Sequence, residues 1–105
     1  MADFMKMLQQ AQEMTGRMQE VQERLLNETV TGSAGGGVVA VETDGKGHVR
    51  SVKIDPSVVV ANDVSMLEDL VVVAVREAQK KAGELEAREM ASLTGGIDLP
   101  FPLPF

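Results

Sequence analysis

The chain has no cysteine, no tryptophan, no tyrosine and one histidine, and only 3% of its 105 residues are aromatic. Each absence removes a class of function. Without cysteine there is no disulfide, no thiolate metal site and no cysteine nucleophile. With His48 as the sole imidazole, a metal site would rest on carboxylates alone, so no metal and no cofactor are expected. With three phenylalanines there is no aromatic platform for stacking the bases of a single strand. Positive charge is also in deficit: ten Lys and Arg against sixteen Asp and Glu give a net charge of −6. A polyanionic partner could then be held only by a local basic patch. No apolar run approaches the roughly 18 residues of a membrane span. The N-terminal MADFMKMLQQ lacks a signal peptide's apolar segment, so a cytoplasmic location is expected.

What remains is an ordinary globular composition, 44% hydrophobic and 25% charged, with a core to be built from Val, Leu, Ala and seven Met. The length predicts one domain, small enough to gain from a partner subunit. Phe4, Met7, Ala11, Met14, Met18, Val21 and Leu25 repeat at alternating spacings of three and four. That heptad stripe predicts a helix from an Asp3 N-cap to about Asn27, which must bury its seam on another helix in this chain or a second one. Glu13–Arg17 and Glu20–Arg24 are i,i+4 pairs on it.

Residues 28–31 read as a short strand ending at Gly32, and Gly35-Gly36-Gly37 as a reversal. Residues 38–44 and 48–54 read as a hairpin about Gly45-Lys46-Gly47, its register open by one residue; a three-residue loop would set Glu42 opposite Arg50. Asp55-Pro56 ends the second strand, and Val58-Val59-Val60 packs as a short turn or irregular piece. Asn62, Asp63 or Ser65 starts a second helix, residues 64–93. Its first half, 67–75, is apolar nearly all round, which predicts burial at a subunit interface. Its second half is charged, with Glu77–Lys81 and Glu84–Arg88 as i,i+4 pairs, and Thr94-Gly95-Gly96 stops it. In the tail, 97–105, proline alternates with large apolar residues, so it is extended, and either mobile or docked in an apolar groove. The order is α-β-β-β-α, an α+β fold with a small antiparallel sheet between two long helices. Residues 1–96 form one domain and 97–105 its tail. Helices this long and a sheet this small cannot cover one another, which predicts a homodimer.

The chemistry-bearing candidates read mostly as scaffold. The glycine run is followed by Val38-Val39 and a strand, not by the Lys-Ser/Thr and helix of a phosphate loop. The carboxylates sit at helical spacing beside Lys and Arg, as on a solvated face, and no cleft is expected to turn them to acid–base work. No catalytic residue and no small-molecule substrate are therefore expected. The bases are more suggestive: Lys46, Arg50 and Lys53 in an acid-free stretch, Arg76, Lys80, Lys81 and Arg88 on the second helix, and Lys6, Arg17 and Arg24 along the first.

Val30-Thr31-Gly32 with Gly35-Gly36-Gly37, the run from Ser51 through Ile54-Asp55-Pro56 to Ser57, Met66-Leu67-Glu68-Asp69-Leu70-Val71, and Leu93-Thr94-Gly95-Gly96 before a Leu-Pro-rich tail together resemble the YbaB/EbfC nucleoid-associated proteins of bacteria. The resemblance spans nearly the whole chain. It implies a dimer whose helices project like tweezer arms, DNA binding, a place in the nucleoid and no catalysis. The matched motifs are structural and name no DNA contact. By charge and exposure, Lys6, Arg17, Arg24, Arg76, Lys80, Lys81 and Arg88 are the candidate contacts to double-stranded DNA, made through phosphates with little sequence preference. The alternative is a protein-interaction module that works through the Met-lined helix and the tail.

Overall fold

The structure, a computed structural model, describes residues 2–94. The Gly95-Gly96 stop and the tail expected from the sequence lie outside them. Helix α1 (Ala2–Leu26) leads into strands β1 (Val30–Ala34), β2 (Val39–Thr43) and β3 (Val49–Ile54). A 3-10 turn (Pro56–Val58) and helix α2 (Val64–Thr94) follow. The strands form one antiparallel sheet in the order β1-β2-β3. The radius of gyration is 19.6 Å, within extents of 73 × 24 × 16 Å. A compact chain of this length would show about 13 Å. The excess comes from the two helices, about 37 Å and 46 Å long at 1.5 Å per residue.

Residue chemistry accounts for most boundaries. Asp63 decides the start of α2: its Oδ1 accepts from the Met66 N–H at 3.2 Å, the bond of an N-cap to the third helical residue. Asp3 lies inside the first turn of α1 and complements the helix dipole there instead of capping it. Residues 35–37 turn β1 into β2 with φ of 62°, 75° and 99°, values that only glycine adopts in succession without strain. Asp55 ends β3 and caps the 3-10 turn by accepting from the Ser57 N–H at 2.9 Å, which holds its carboxyl below the usual range.

One expectation about the sheet fails. β1 does not stop at Gly32 but passes through it, pairing Gly32 with Val41. The glycine is there because α2 crosses directly over it: a Cβ would lie 2.3 Å from the Ala78 nitrogen and 2.5 Å from the Ala74 oxygen. The register left open by one residue is settled by Glu42, which faces Ser51 and not Arg50. A bulge between Glu42 and Thr43 leaves Arg50 as the extra residue, since Thr43 pairs with Val49. The freed Arg50 guanidinium reaches back to the Leu26 and Glu28 carbonyls, satisfying acceptors at the C-terminal end of α1.

The core lies in two places. Ala34, Val39 and Val41 of the sheet pack on Ala74 and Ala78 of α2, with Leu67, Leu70, Val71, Val75 and Val58 around them. Beyond the sheet, Val21 and Leu25 of α1 pack on Met90 of α2, flanked by Leu85 and Leu93. The Gly45 N–H donates to the Leu25 carbonyl at 2.7 Å and ties α1 to the β2–β3 turn. The heptad stripe is thus covered only at its C-terminal end. Met14 and Met18 are half-buried, while Phe4, Met7 and Ala11 are exposed.

Candidate nucleic-acid interface

Arg76 and Lys80 lie one turn apart on α2, on the side turned away from Ala74 and Ala78 and therefore from the sheet. Both are exposed, and neither makes an ion pair among the described residues. Their neighbours on that face are exposed Val72, Val73, Gly83 and Ala87, with Asp69 and Glu84 two turns or less away. On α1, Lys6, Arg17 and Arg24 are 11 and 7 residues apart, which brings them within about 20° of one line along the helix. Glu13 and Glu20 border that line.

The remaining pair, Lys81 and Arg88, shares a third line of α2, seven residues apart. Lys81 is already engaged. Its ammonium lies 2.9 Å from the Glu77 carboxylate and donates to the Thr31 carbonyl of β1 at 3.3 Å. The hydrogen bond and charge of Lys81 hold the Glu77 carboxyl below its ordinary value. Arg24 donates to Glu89 at 2.8 Å and clamps α1 to α2. The expected pairs Glu13–Arg17, Glu20–Arg24 and Glu84–Arg88 are absent among the described residues, because Arg24 finds a partner on the other helix and the rest stay in water, where such pairs contribute little. Lys6, Arg17, Arg76, Lys80 and Arg88 are thus the candidates with uncommitted charge, while Lys81 and Arg24 also serve the fold.

The hairpin bases divide similarly. Lys46 bonds to the Gln22 side chain and Arg50 to the Leu26 and Glu28 carbonyls, so both brace the scaffold. Lys53 is exposed on β3. His48 belongs to the turn: Asp44 accepts from the Lys46 N–H at 2.8 Å, the His48 N–H at 3.0 Å and His48 Nδ1 at 2.8 Å. Burial alone would raise the Asp44 pKa. The hydrogen bonds from His48 and Lys46 outweigh it and hold the carboxyl at about 2. Because the folded value lies below the unfolded one, this carboxylate stabilises the fold fully above about pH 4, and its contribution falls away between about pH 4 and pH 2. Thermal melts should show that loss in the wild type, and Asp44→Asn should flatten it. An identical acid limb in the variant would dissociate the turn from acid stability.

The sequence signalled but did not locate an apolar face. Val39 pairs with Ile54 and Val41 with Val52, so each pair points to the same side of the sheet. Val39 and Val41 are fully buried under α2, yet Val52 and Ile54 are 43% and 39% exposed. The core-facing side of the sheet thus continues onto β3 past the reach of α2. Val59 and Val60 after the 3-10 turn are exposed as well, although the sequence suggested that they pack. On the outer side of α2, Val72 and Val73 of the apolar run 67–75 are exposed too.

Among the described residues no three His, Asp or Glu side chains converge as a metal site would require. Among the described residues, no helix is long and apolar enough to cross a membrane.

Comparison with known proteins agrees along the whole length. A family model described as the YbaB/EbfC DNA-binding family matches residues 1–97. A nucleoid-associated protein of Gemmatimonas aurantiaca is 52% identical over 103 residues, 98% of this chain and 99% of that protein. Another, of Rhodospirillum rubrum, is 45% identical over 107 residues and covers 100% of both chains. The fold is similar to the crystal structure of an uncharacterized protein from Helicobacter pylori, with a TM-score of 0.75 and 22% identity over 89% of this chain and 97% of that one.

Proposed function

The chain belongs to the YbaB/EbfC DNA-binding family, and we propose that it binds double-stranded DNA as a homodimer, through phosphates and with little sequence preference, within the nucleoid. The observation that carries this is the charge of Arg76 and Lys80 on the outer face of α2, unpaired among the described residues, which a second subunit would repeat. Lys6 and Arg17 on α1, and Arg88 on another line of α2, offer further phosphate contacts along the projecting helices. Phosphate contacts of this kind position a protein without reading bases, and dispersed lysine and arginine suit them. The acidic total keeps attraction local to these faces. Bound at many sites, such a dimer would influence nucleoid organisation and, through it, gene expression.

Two duplexes of equal length and unrelated sequence, titrated by fluorescence anisotropy at about 50 and about 200 mM salt, test the mechanism. The affinities should agree within a few-fold. Each phosphate neutralised should add about −0.9 to the log–log salt slope, about 3.5-fold weaker binding across that range. Salt-independent binding, or a strong preference for one duplex, would oppose it.

The bare β3 side of the sheet supports the dimer, because a second copy can cover Val52 and Ile54 as α2 covers Val39 and Val41. Sedimentation equilibrium at micromolar concentration should give about twice the 11.3 kDa of the chain. Ile54→Asp should shift the mass to the monomer. A wild-type mass of one chain rejects the dimer, and a dimeric Ile54→Asp variant moves the interface elsewhere.

A further inference from the structure

The N-terminal half of α1 carries an apolar stripe that stands in water among the described residues. Phe4, Met7 and Leu8 are 61%, 65% and 47% exposed, and Ala11 is exposed in line with them. The cause is a difference in reach. Leu25 bonds to Gly45, Gly47 of the same turn lies over Gln79 and Ala82, and Val21 packs with Met90, so α1 and α2 run antiparallel. From Val21, α1 continues back to Ala2 for about 28 Å, whereas α2 runs on from Met90 to Thr94 for about 6 Å. With Met90 level with Val21, Thr94 comes level with Arg17. The first 22 Å or so of α1 stands clear of the described part of α2.

We propose that this stripe binds the same stripe of a second copy, antiparallel and two-fold symmetric about the level of Gln9, and so joins two molecules arm to arm. In that register Phe4 lies level with the second copy's Met14, and Met7 with the second copy's Ala11, as facing layers of a coiled coil; the axis repeats both contacts. The flanking charges select this orientation. Asp3, Gln10 and Arg17 border the stripe on one side at heptad spacing, and Leu8 borders it on the other. Asp3 and Arg17 are exposed, and neither makes an ion pair among the described residues. The antiparallel pairing sets each Arg17 beside the second copy's Asp3, and Gln10 and Leu8 beside their own equivalents. A parallel pairing in register would set Asp3 beside Leu8 and Arg17 beside Gln22, with no opposite charges together. The lengths also agree: the second copy's Ala2 comes level with Gly16, just past the level at which the described part of α2 ends. The overlap is only about four turns of each helix, so a single contact is weak. A homodimer carries two such arms, and dimers gathered on DNA meet at high local concentration, where a weak contact links them and the duplexes they hold. That consequence rests on the proposed dimer and its DNA binding, whereas the arm contact does not. Arg76 and Lys80 take no part in it.

Sedimentation equilibrium of the full chain between about 1 and about 200 μM should show the mass rise to at least about twice its low-concentration value. Met7→Asp should remove that rise without loss of helicity, since Met7 is exposed. The sheet face sets the mass at low concentration and the arms set the rise. A failed dimer therefore changes the starting mass, and a failed arm contact removes the rise. Asp3→Arg and Arg17→Asp each bring like charges together twice, and each should weaken the arm association at least about threefold. Asp3→Arg combined with Arg17→Asp should restore it to within about twofold of wild type. A constant mass, or a rise that Met7→Asp leaves intact, would overturn the arm contact. A combined variant no better than the single ones would overturn the antiparallel register. Slow amide exchange of residues 4–14 at the low concentration would overturn the assignment to a second copy and give the stripe to another segment of the same chain.

Discussion

Gly32→Ala should destabilise the fold by about 3 kcal/mol or more, and Gly32→Val should leave too little native protein to melt cooperatively. The glycine sits in β1 under the backbone of α2, where a Cβ would meet the Ala78 nitrogen at 2.3 Å and the Ala74 oxygen at 2.5 Å. Overpacking a core typically costs about 1–3 kcal/mol because side chains rotate aside. Here the obstacles are main-chain atoms of a helix and cannot rotate. Relief would require lifting α2 off the sheet, which separates Ala74 and Ala78 from Val39 and Val41. A small domain has about 5–15 kcal/mol in total, so the valine consumes much of it. Gly16→Ala is the opposite case. Nothing lies within 4 Å of its added Cβ, it is exposed in mid-helix, and alanine there should raise stability by about 1 kcal/mol. Urea denaturation followed by circular dichroism measures all three. A Gly32→Ala variant within about 0.5 kcal/mol of wild type would refute the close crossing.

Removing Arg76 and Lys80 together should weaken DNA binding by about tenfold per phosphate released at about 50 mM salt, and flatten the salt slope by about 0.9 for each phosphate no longer neutralised. The weakening should be the same on unrelated duplexes, since neither side chain reads a base. Both side chains are exposed and without an ion pair among the described residues, so helicity and dimer mass should not change. Lys81→Ala should behave differently. It breaks the pair with Glu77 and the bond to the Thr31 carbonyl, and should lower stability by less than about 1 kcal/mol. If the Arg76/Lys80 variant binds DNA with wild-type affinity and slope, the duplex is held along Lys6 and Arg17 or elsewhere.

The elements themselves were legible from periodicity and punctuation. The 3-4 stripe marked α1 to within a residue of its end, and Asp55-Pro56 marked the end of β3. The motif spacing also carried the family, because glycine turns and helix starts depend on local backbone geometry that neighbouring residues dictate. The candidate interface was legible only as a roster of bases. Which of them are free depends on partners distant in the chain. Arg24 meets Glu89, Lys81 meets the Thr31 carbonyl, and Arg50 serves the end of α1 once a one-residue bulge releases it from the ladder.

The sequence by itself determined the order of the elements and the α+β class, since each follows from residue types at short spacings. Tertiary structure alone decided that Gly32 is a helix–strand crossing and not a strand end. It also decided that the sheet's core face outruns α2 at Val52 and Ile54, and that α1 outruns it toward Phe4. Periodicity specifies which side of a helix or strand is apolar, but how far that side is covered depends on where elements far apart in the chain meet and stop.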